Sequence, residues 1–158
     1  MAQLLTEVDS QRLRKVLLRL LARSESDDCL LCDSGGHVLA LEGASQHDPF
    51  LVSALGAGVF GASRELARIL GENEFSAVLH QGERKSIFLR AVDEDTLLVM
   101  IFSKSANVGL VKLYSTPAIE ELQQILAALK HGPAAAPAED FRPFVLSNEA
   151  QLFSIKKE

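Results

Sequence analysis

The chain has no tryptophan, one tyrosine and two cysteines, and none of its apolar runs approaches the roughly 20 residues a bilayer span requires. Each shortage removes a class of protein. Cys29 and Cys32 have no second Cys-x-x-Cys pair and only four scattered histidines for company, which is too little for a zinc framework. Basic residues are outnumbered, 16 Lys/Arg against 21 Asp/Glu for a net charge of -5. Nucleic acid is therefore excluded as a partner, because its affinity rests on many Lys/Arg contacts to phosphate and on aromatic platforms for bases. There is no Gly-x-Ser-x-Gly elbow, no His-Glu-x-x-His and no P-loop Gly-Lys-Ser/Thr. His37, His47 and His80 sit in or beside hairpin, loop or edge-strand segments without an accompanying Ser, Cys or carboxylate motif, and read as surface histidines. These absences predict a chain with no active site, cofactor or metal, which acts by binding other proteins. The segment Met1 to Glu7 lacks a basic start, an apolar core and a cleavage site, so a cytoplasmic location is expected.

What is present fits one domain. A chain of 158 residues, 47% of them hydrophobic, can bury a real core without staples. From Thr6 to Arg23, Leu13, Val16, Leu17, Leu20 and Leu21 alternate with arginines and a lysine at helical spacing. Cys29 to Cys32, then Asp33-Ser34-Gly35-Gly36, then Val38 to Leu41 read as strand, turn and strand. Asp48 is a candidate N-cap, with Pro49 at the first helical position. Leu51, Leu55, Val59, Ala62, Leu66, Ile69 and Leu70 then fall on one stripe until Gly71. Phe75 to Gln81, Lys85 to Val92 and Thr96 to Phe102 read as a three-strand meander. The run Leu97 to Phe102 is apolar throughout and predicts the centre of the sheet. Phe75 to Gln81 predicts an edge with no Lys or Pro to discourage pairing. A last helix is expected from Asn107, with Leu110, Leu113, Tyr114, Leu122, Ile125, Leu126 and Leu129 on one face and a kink or break near Ser115 caused by Pro117.

These readings give an α/β (α+β) fold, a five-stranded antiparallel sheet sandwiched by helices in the order helix-strand-strand-helix-strand-strand-strand-helix. The domain is expected over residues 1–130, a Gly/Pro/Ala linker over 131–138 and a tail over 139–158. Phe144, Leu152 and Phe153 make the tail too apolar for a frayed end, and a short helix capped by Ser147 would dock on this domain or on a partner.

Two motifs have a bland reading that outweighs the functional one. On a strand, Cys29 and Cys32 point to opposite faces and cannot share a metal or a disulfide, so they read as buried structural cysteines. Gly56-Ala57-Gly58-Val59-Phe60-Gly61 matches G-x-G-x-x-G, but the dinucleotide fingerprint needs a strand just before it. Here the glycines lie inside a helical stripe, where each costs about 1 kcal/mol relative to alanine. Close approach of another backbone would supply the compensation.

Three segments carry a resemblance. Leu31-Cys-Asp-Ser-Gly-Gly-His-Val-Leu-Ala40, Leu66-Ala-Arg-Ile-Leu-Gly-Glu-Asn-Glu-Phe75 and Ala106-Asn-Val-Gly-Leu-Val-Lys-Leu113, in this order of elements, are similar to segments of the roadblock/dynein light chain family over about residues 6 to 130. The Leu-Gly-Glu-Asn-Glu-Phe junction, the His80-Gln81-Gly82-Glu83 turn and the tail look most like its MglB branch, bacterial regulators of the Ras-like gliding-motility GTPase MglA.

The resemblance implies a homodimer in which the third strand pairs with its twin and the long helices lie side by side. The interface would use Gly56, Val59, Phe60, Ser63, Phe75, Ala77, Val78, Leu79 and His80. Gly58, Gly61, Arg64, Glu65 and Arg68 would meet a Ras-like small GTPase of MglA type, whose own catalytic residues the dimer would position for GTP hydrolysis, without an arginine finger. One departure stands out: the middle of the family's long helix usually stays small, whereas here Arg64-Glu65 follow Ser63. Those charges would retune the partner or mark a chain that has lost activation. The alternative is a scaffold joining response-regulator, motility, polarity or other signalling proteins. A small-molecule sensor is a third reading, for which no converging polar residues argue.

Overall fold

The computed structural model describes residues 5–132 apart from 45 and 74. The expected order of elements is found: α1 Glu7–Ser24, β1 Asp28–Asp33, β2 Val38–Gly43, α2 Pro49–Leu70, β3 Ala77–Gln81, β4 Lys85–Ala91, β5 Thr96–Ser103 and α3 Val108–Lys130. The helix starts lie where the capping residues placed them. Thr6, Asp48 and Asn107 each accept hydrogen bonds from backbone N–H groups of the first turn, and Pro49 occupies the N-terminal position where its missing N–H costs nothing. Gly71 ends α2 at φ 75°, a left-handed conformation that glycine adopts without strain. The third strand begins at Ala77, two residues later than Phe75.

All pairings are antiparallel and the strand order is β2-β1-β5-β4-β3. β5 lies at the centre, buried at nearly every position, and β3 lies at one edge. α1 and α3 pack on one face around Leu13, Leu17, Leu31, Phe88, Leu98, Met100, Phe102 and Leu122. The opposite face holds a smaller cluster of Leu30, Cys32, Phe60, Leu89, Leu97 and Val99, with α2 laid over it. Cys29 touches the first cluster and Cys32 the second, as their spacing on a strand requires.

Pro117 does not break α3, which runs unbroken from Val108 to Lys130. The proline is on the exposed side, and the Leu113 carbonyl it deprives belongs to a residue 62% exposed, where solvent can satisfy it. The Ser115 and Thr116 hydroxyls also donate to the Lys112 carbonyl, at 3.0 and 3.4 Å. The fully buried residues are Val111, Ser115, Ala118, Ile119, Leu122 and Leu126; of the expected face, Leu122 and Leu126 are among them and Tyr114, Ile125 and Leu129 pack partly buried against the same core, while Leu113 faces solvent.

The turn between β4 and β5 is held from one side by α3. Gln123 Nε2 donates to the Val92 carbonyl at 2.6 Å and Lys130 Nζ to Asp93 Oδ2 at 3.0 Å. Burial pushes the Asp93 carboxyl up, but hydrogen bonds from Lys130, the Asp95 N–H and Thr96 outweigh it and hold the group below the usual aspartate range. α3 ends at Lys130. Residues 133–158, with Phe144, Leu152 and Phe153, lie outside the described residues.

α2 is long and apolar enough to cross a membrane by length and composition, a feature hidden in the sequence by its interspersed Ser, Gly and charged residues. Its inner face is nevertheless seated on the sheet through Ser53, Gly56, Phe60, Ser63 and Ala67.

These packings make the two thiols and one carboxylate testable. Burial pushes both cysteine thiols up to about 12, helped by the carboxylates of Asp28 and Asp33. In the native protein neither should react with an aromatic disulfide reagent in mildly alkaline buffer, and both should react in guanidinium; fast native modification would contradict this packing. For Asp93, a folded-state pKa below the unfolded one stabilises the protein above about pH 3.9 and loses that contribution as the pH falls through the folded value. Asp93→Asn should therefore lower the denaturation midpoint at neutral pH, and the gap to wild type should close as the pH falls through the folded value. A gap of constant size would show that the carboxylate's charge is not what matters.

Candidate functional site

α2 carries two stripes, and only one of them is used inside the protomer. Ser53, Gly56, Phe60, Ser63 and Ala67, spaced three and four apart, face the sheet. A Cβ on Gly56 would lie 3.6 Å from both Leu89 Cδ2 and Val99 Cγ2, an ordinary contact distance, so α2 lies directly over β4 and β5 here. Ser53 Oγ donates to the Gly36 carbonyl at 2.6 Å and pins the start of α2 to the β1–β2 turn. There Gly36, at φ +83°, leaves no room for a side chain beside Ala54.

The second stripe is the one its leucines announced, and it faces outward. Leu51, Leu55, Leu66, Ile69 and Leu70 are 56–72% exposed, and Phe50 is 71% exposed on the adjoining surface. Val59 is half-buried beside them. Burying a side chain of this kind is worth about 1.5–3 kcal/mol, and single exposed leucines need no explanation, but five along one helix form a patch that marks an interaction site.

The sheet beside this flank is also open. Among the described residues α2 is the only helix on its face, and it lies mainly over β1, β2 and β5, reaching β4 at Leu89. Val78 of β3 and Ile87 of β4 are left only partly buried there. β3 pairs with β4 on one side and, among the described residues, has no strand on the other. Its unpaired N–H and C=O groups are a template for another strand, and Ala77, Val78, Leu79 and His80 supply nothing that would repel one.

The predicted contact residues divide accordingly. Val59, Ala77, Val78, Leu79 and His80 lie along the open flank and edge, and Phe75 is half-buried just before β3. Gly56, Phe60 and Ser63 are corrected: they are spent against the protomer's own sheet and offer no surface to a second molecule. Gly58 and Gly61 face open space, where an added Cβ would meet nothing within 4 Å. Near them, Arg64 Nη1 donates to the Glu94 carbonyl at 3.2 Å, and Arg68 pairs with Glu65 at 2.9 Å. The charges are thus exposed but mutually engaged. The hollow between Arg64, Phe60, Gly61 and the β4–β5 turn holds about 50 Å³, below the size of ligand pockets. His37 is on the surface with Nδ1 2.9 Å from Asp33 Oδ2. Among the described residues no three His, Cys, Asp or Glu groups converge as a metal site would require.

Sequence reasoning missed the outward orientation of the leucine stripe, although the second stripe of small residues at the same spacing was there to be read. It also missed a groove of about 770 Å³ on the α3 side of the sheet, lined by Ser76, Arg90, Ile119, Gln123, Lys130 and His131 among others. Arg90 Nη1 donates there to the hydroxyls of Ser115 at 3.2 Å and Thr116 at 2.8 Å, with no carboxylate partner among the described residues.

Comparison with known proteins agrees with this architecture. The pattern of the Roadblock/LC7 domain matches residues 12–102. The solved structure of Myxococcus xanthus MglB is 30% identical, superposes with a TM-score of 0.75, and the match covers 80% of this chain and 96% of that one. The gliding protein MglB of Thermus thermophilus is 34% identical with a TM-score of 0.71, over 77% of this chain and 93% of that one. A further MglB structure, described as a tetrameric arrangement, is 33% identical with a TM-score of 0.73, over 77% and 92% of the two chains. A helix-flanked antiparallel sheet in this strand order, matched by the domain pattern and by these relatives at this identity, places the chain in the roadblock/LC7 family.

Proposed function

We propose that the protein is a homodimeric regulator of a small Ras-like GTPase of MglA type, pairing its β3 edge with its twin and setting the two α2 helices side by side. The observation that carries the reading is the exposed apolar flank of α2 next to an open strand edge. A two-fold axis normal to the sheet, passing between the two β3 strands, would let one interaction solve both problems, because an isologous interface repeats every contact. The interface residues are then Val59, Ala77, Val78, Leu79 and His80, joined by Leu55 and Leu66 in place of the inward-facing Gly56, Phe60 and Ser63.

The dimer would present Gly58, Gly61, Arg64, Glu65 and Arg68 of both helices on one platform. Two glycines open to solvent allow a partner's backbone to approach closely. A platform with no catalytic group of its own accelerates hydrolysis by holding the GTPase's residues and attacking water in line, and positioning is most of phosphoryl-transfer catalysis. The likeness to MglB structures supports this choice of partner class. The second reading, a scaffold that joins signalling or polarity proteins without affecting hydrolysis, is favoured by one observation: Glu65 and Arg68 already satisfy each other, which leaves less charge for a nucleotide-bound partner.

Leu66→Asp should convert the dimer to monomer in sedimentation velocity. The lost apolar burial, counted twice, weakens association by roughly hundredfold or more. An unchanged dimer would move the interface elsewhere. For the activity, GTP turnover by a MglA-type GTPase should rise with added protein and saturate at one GTPase per dimer. Reversing the charges in Arg64→Glu/Glu65→Arg should abolish both capture and stimulation. Capture without stimulation, surviving the reversal, would establish the scaffold instead.

A further inference from the structure

The groove on the α3 side carries Arg90 toward one end and Asp93, Glu94, Lys130 and His131 toward the other. We propose that residues 139–144, Glu-Asp-Phe-Arg-Pro-Phe, return along this groove of their own protomer and set a carboxylate of Glu139 or Asp140 against Arg90. This inference is independent of the GTPase reading.

Three observations meet here. The groove opens at the point where the tail departs: Ala127, Lys130 and His131, the last turn of α3 and its end, line one end of it. At the other end Arg90 hangs from β4, its partners among the described residues being two neutral hydroxyls. A guanidinium offers five donors in a fork that fits a carboxylate, and a charged donor left with neutral partners is half-satisfied.

The reach matches as well. From Thr116, which Arg90 touches, to His131 the helix rises about 22 Å at 1.5 Å per residue. Turning back at Gly132, the Pro/Ala segment 132–138 covers about 22 Å at ~3.1 Å per residue if it is extended. Glu139 and Asp140 therefore arrive level with Arg90. Phe141 and Phe144 then lie where Ala77 and Leu79 of β3 are only partly buried on the same face of the sheet. β3 keeps its outer edge free in this arrangement, so tail and twin do not compete for the same backbone groups.

The test uses the full chain with a cysteine pair, Gln123→Cys and Ala135→Cys, because the native Cys29 and Cys32 are buried. Gln123 lines the groove, and the same geometry puts residue 135 beside it. On mild oxidation of dilute protein an intramolecular disulfide should form. Its yield should be roughly tenfold above that of the control pair Gln124→Cys/Ala135→Cys, which is one residue closer in the chain but does not line the groove. Adding Glu139→Gln/Asp140→Asn should reduce the yield to the control level, as should Arg90→Glu. Combining Arg90→Glu with Glu139→Arg/Asp140→Arg should restore it, which separates loss of docking from loss of folding. No excess over the control, a bond formed only between chains, or indifference to the charge changes would each overturn the proposal.

Discussion

The structure depends on an imbalance between a sheet with two apolar faces and three helices to cover them. β1 and β5 are buried on both sides, so both faces need shelter. α1 and α3 together cover one face, while α2 works alone on the other. A helix is about 10–12 Å across with its side chains, and five strands at ~4.8 Å spacing are about twice as wide. One helix cannot finish the task, and what it leaves open is the side nearest β3 and β4.

That imbalance explains why α2 is apolar on two stripes. The inner stripe is built from small residues, with Phe60 as its one large anchor, because close seating matters more there than volume. The outer stripe has the bulky leucines, and in an isolated protomer they would face water. The hydrophobic effect rewards any arrangement that removes them from it, at ~25 cal/mol per Å². A second copy with the same imbalance and the same open edge would be an economical cover, since each molecule would supply the helix the other lacks.

Much of the fold was legible in the residues. Thr6, Asp48-Pro49, Gly71 and Asn107 set helix ends through local capping chemistry, and the uniform apolarity of Leu97 to Phe102 marked the central strand. The site was less legible, for a definite reason. Periodicity reports that leucines share a side of a helix but not whether that side meets the chain's own core or another molecule, so Gly56, Phe60 and Ser63 were assigned outward when they point in. Pro117 misled differently. Its cost is severe where the deprived carbonyl is buried, and the sequence does not disclose that Leu113 faces solvent. Arg90 drew no notice because a lone arginine in a strand has no signature; only the fold brings Ser115 and Thr116 to it.

The turn between β4 and β5 is gripped from both faces of the sheet at once. Arg64 of α2 holds the Glu94 carbonyl, while Gln123 and Lys130 of α3 hold Val92 and Asp93, its neighbours in the chain. Three consecutive residues thus form a common bearing for helices that lie on opposite sides of the sheet. A molecule pressing on α2 at Arg64 loads the same few peptide units that anchor the far end of α3. The two faces are thereby tied to one another through three successive residues of a single turn.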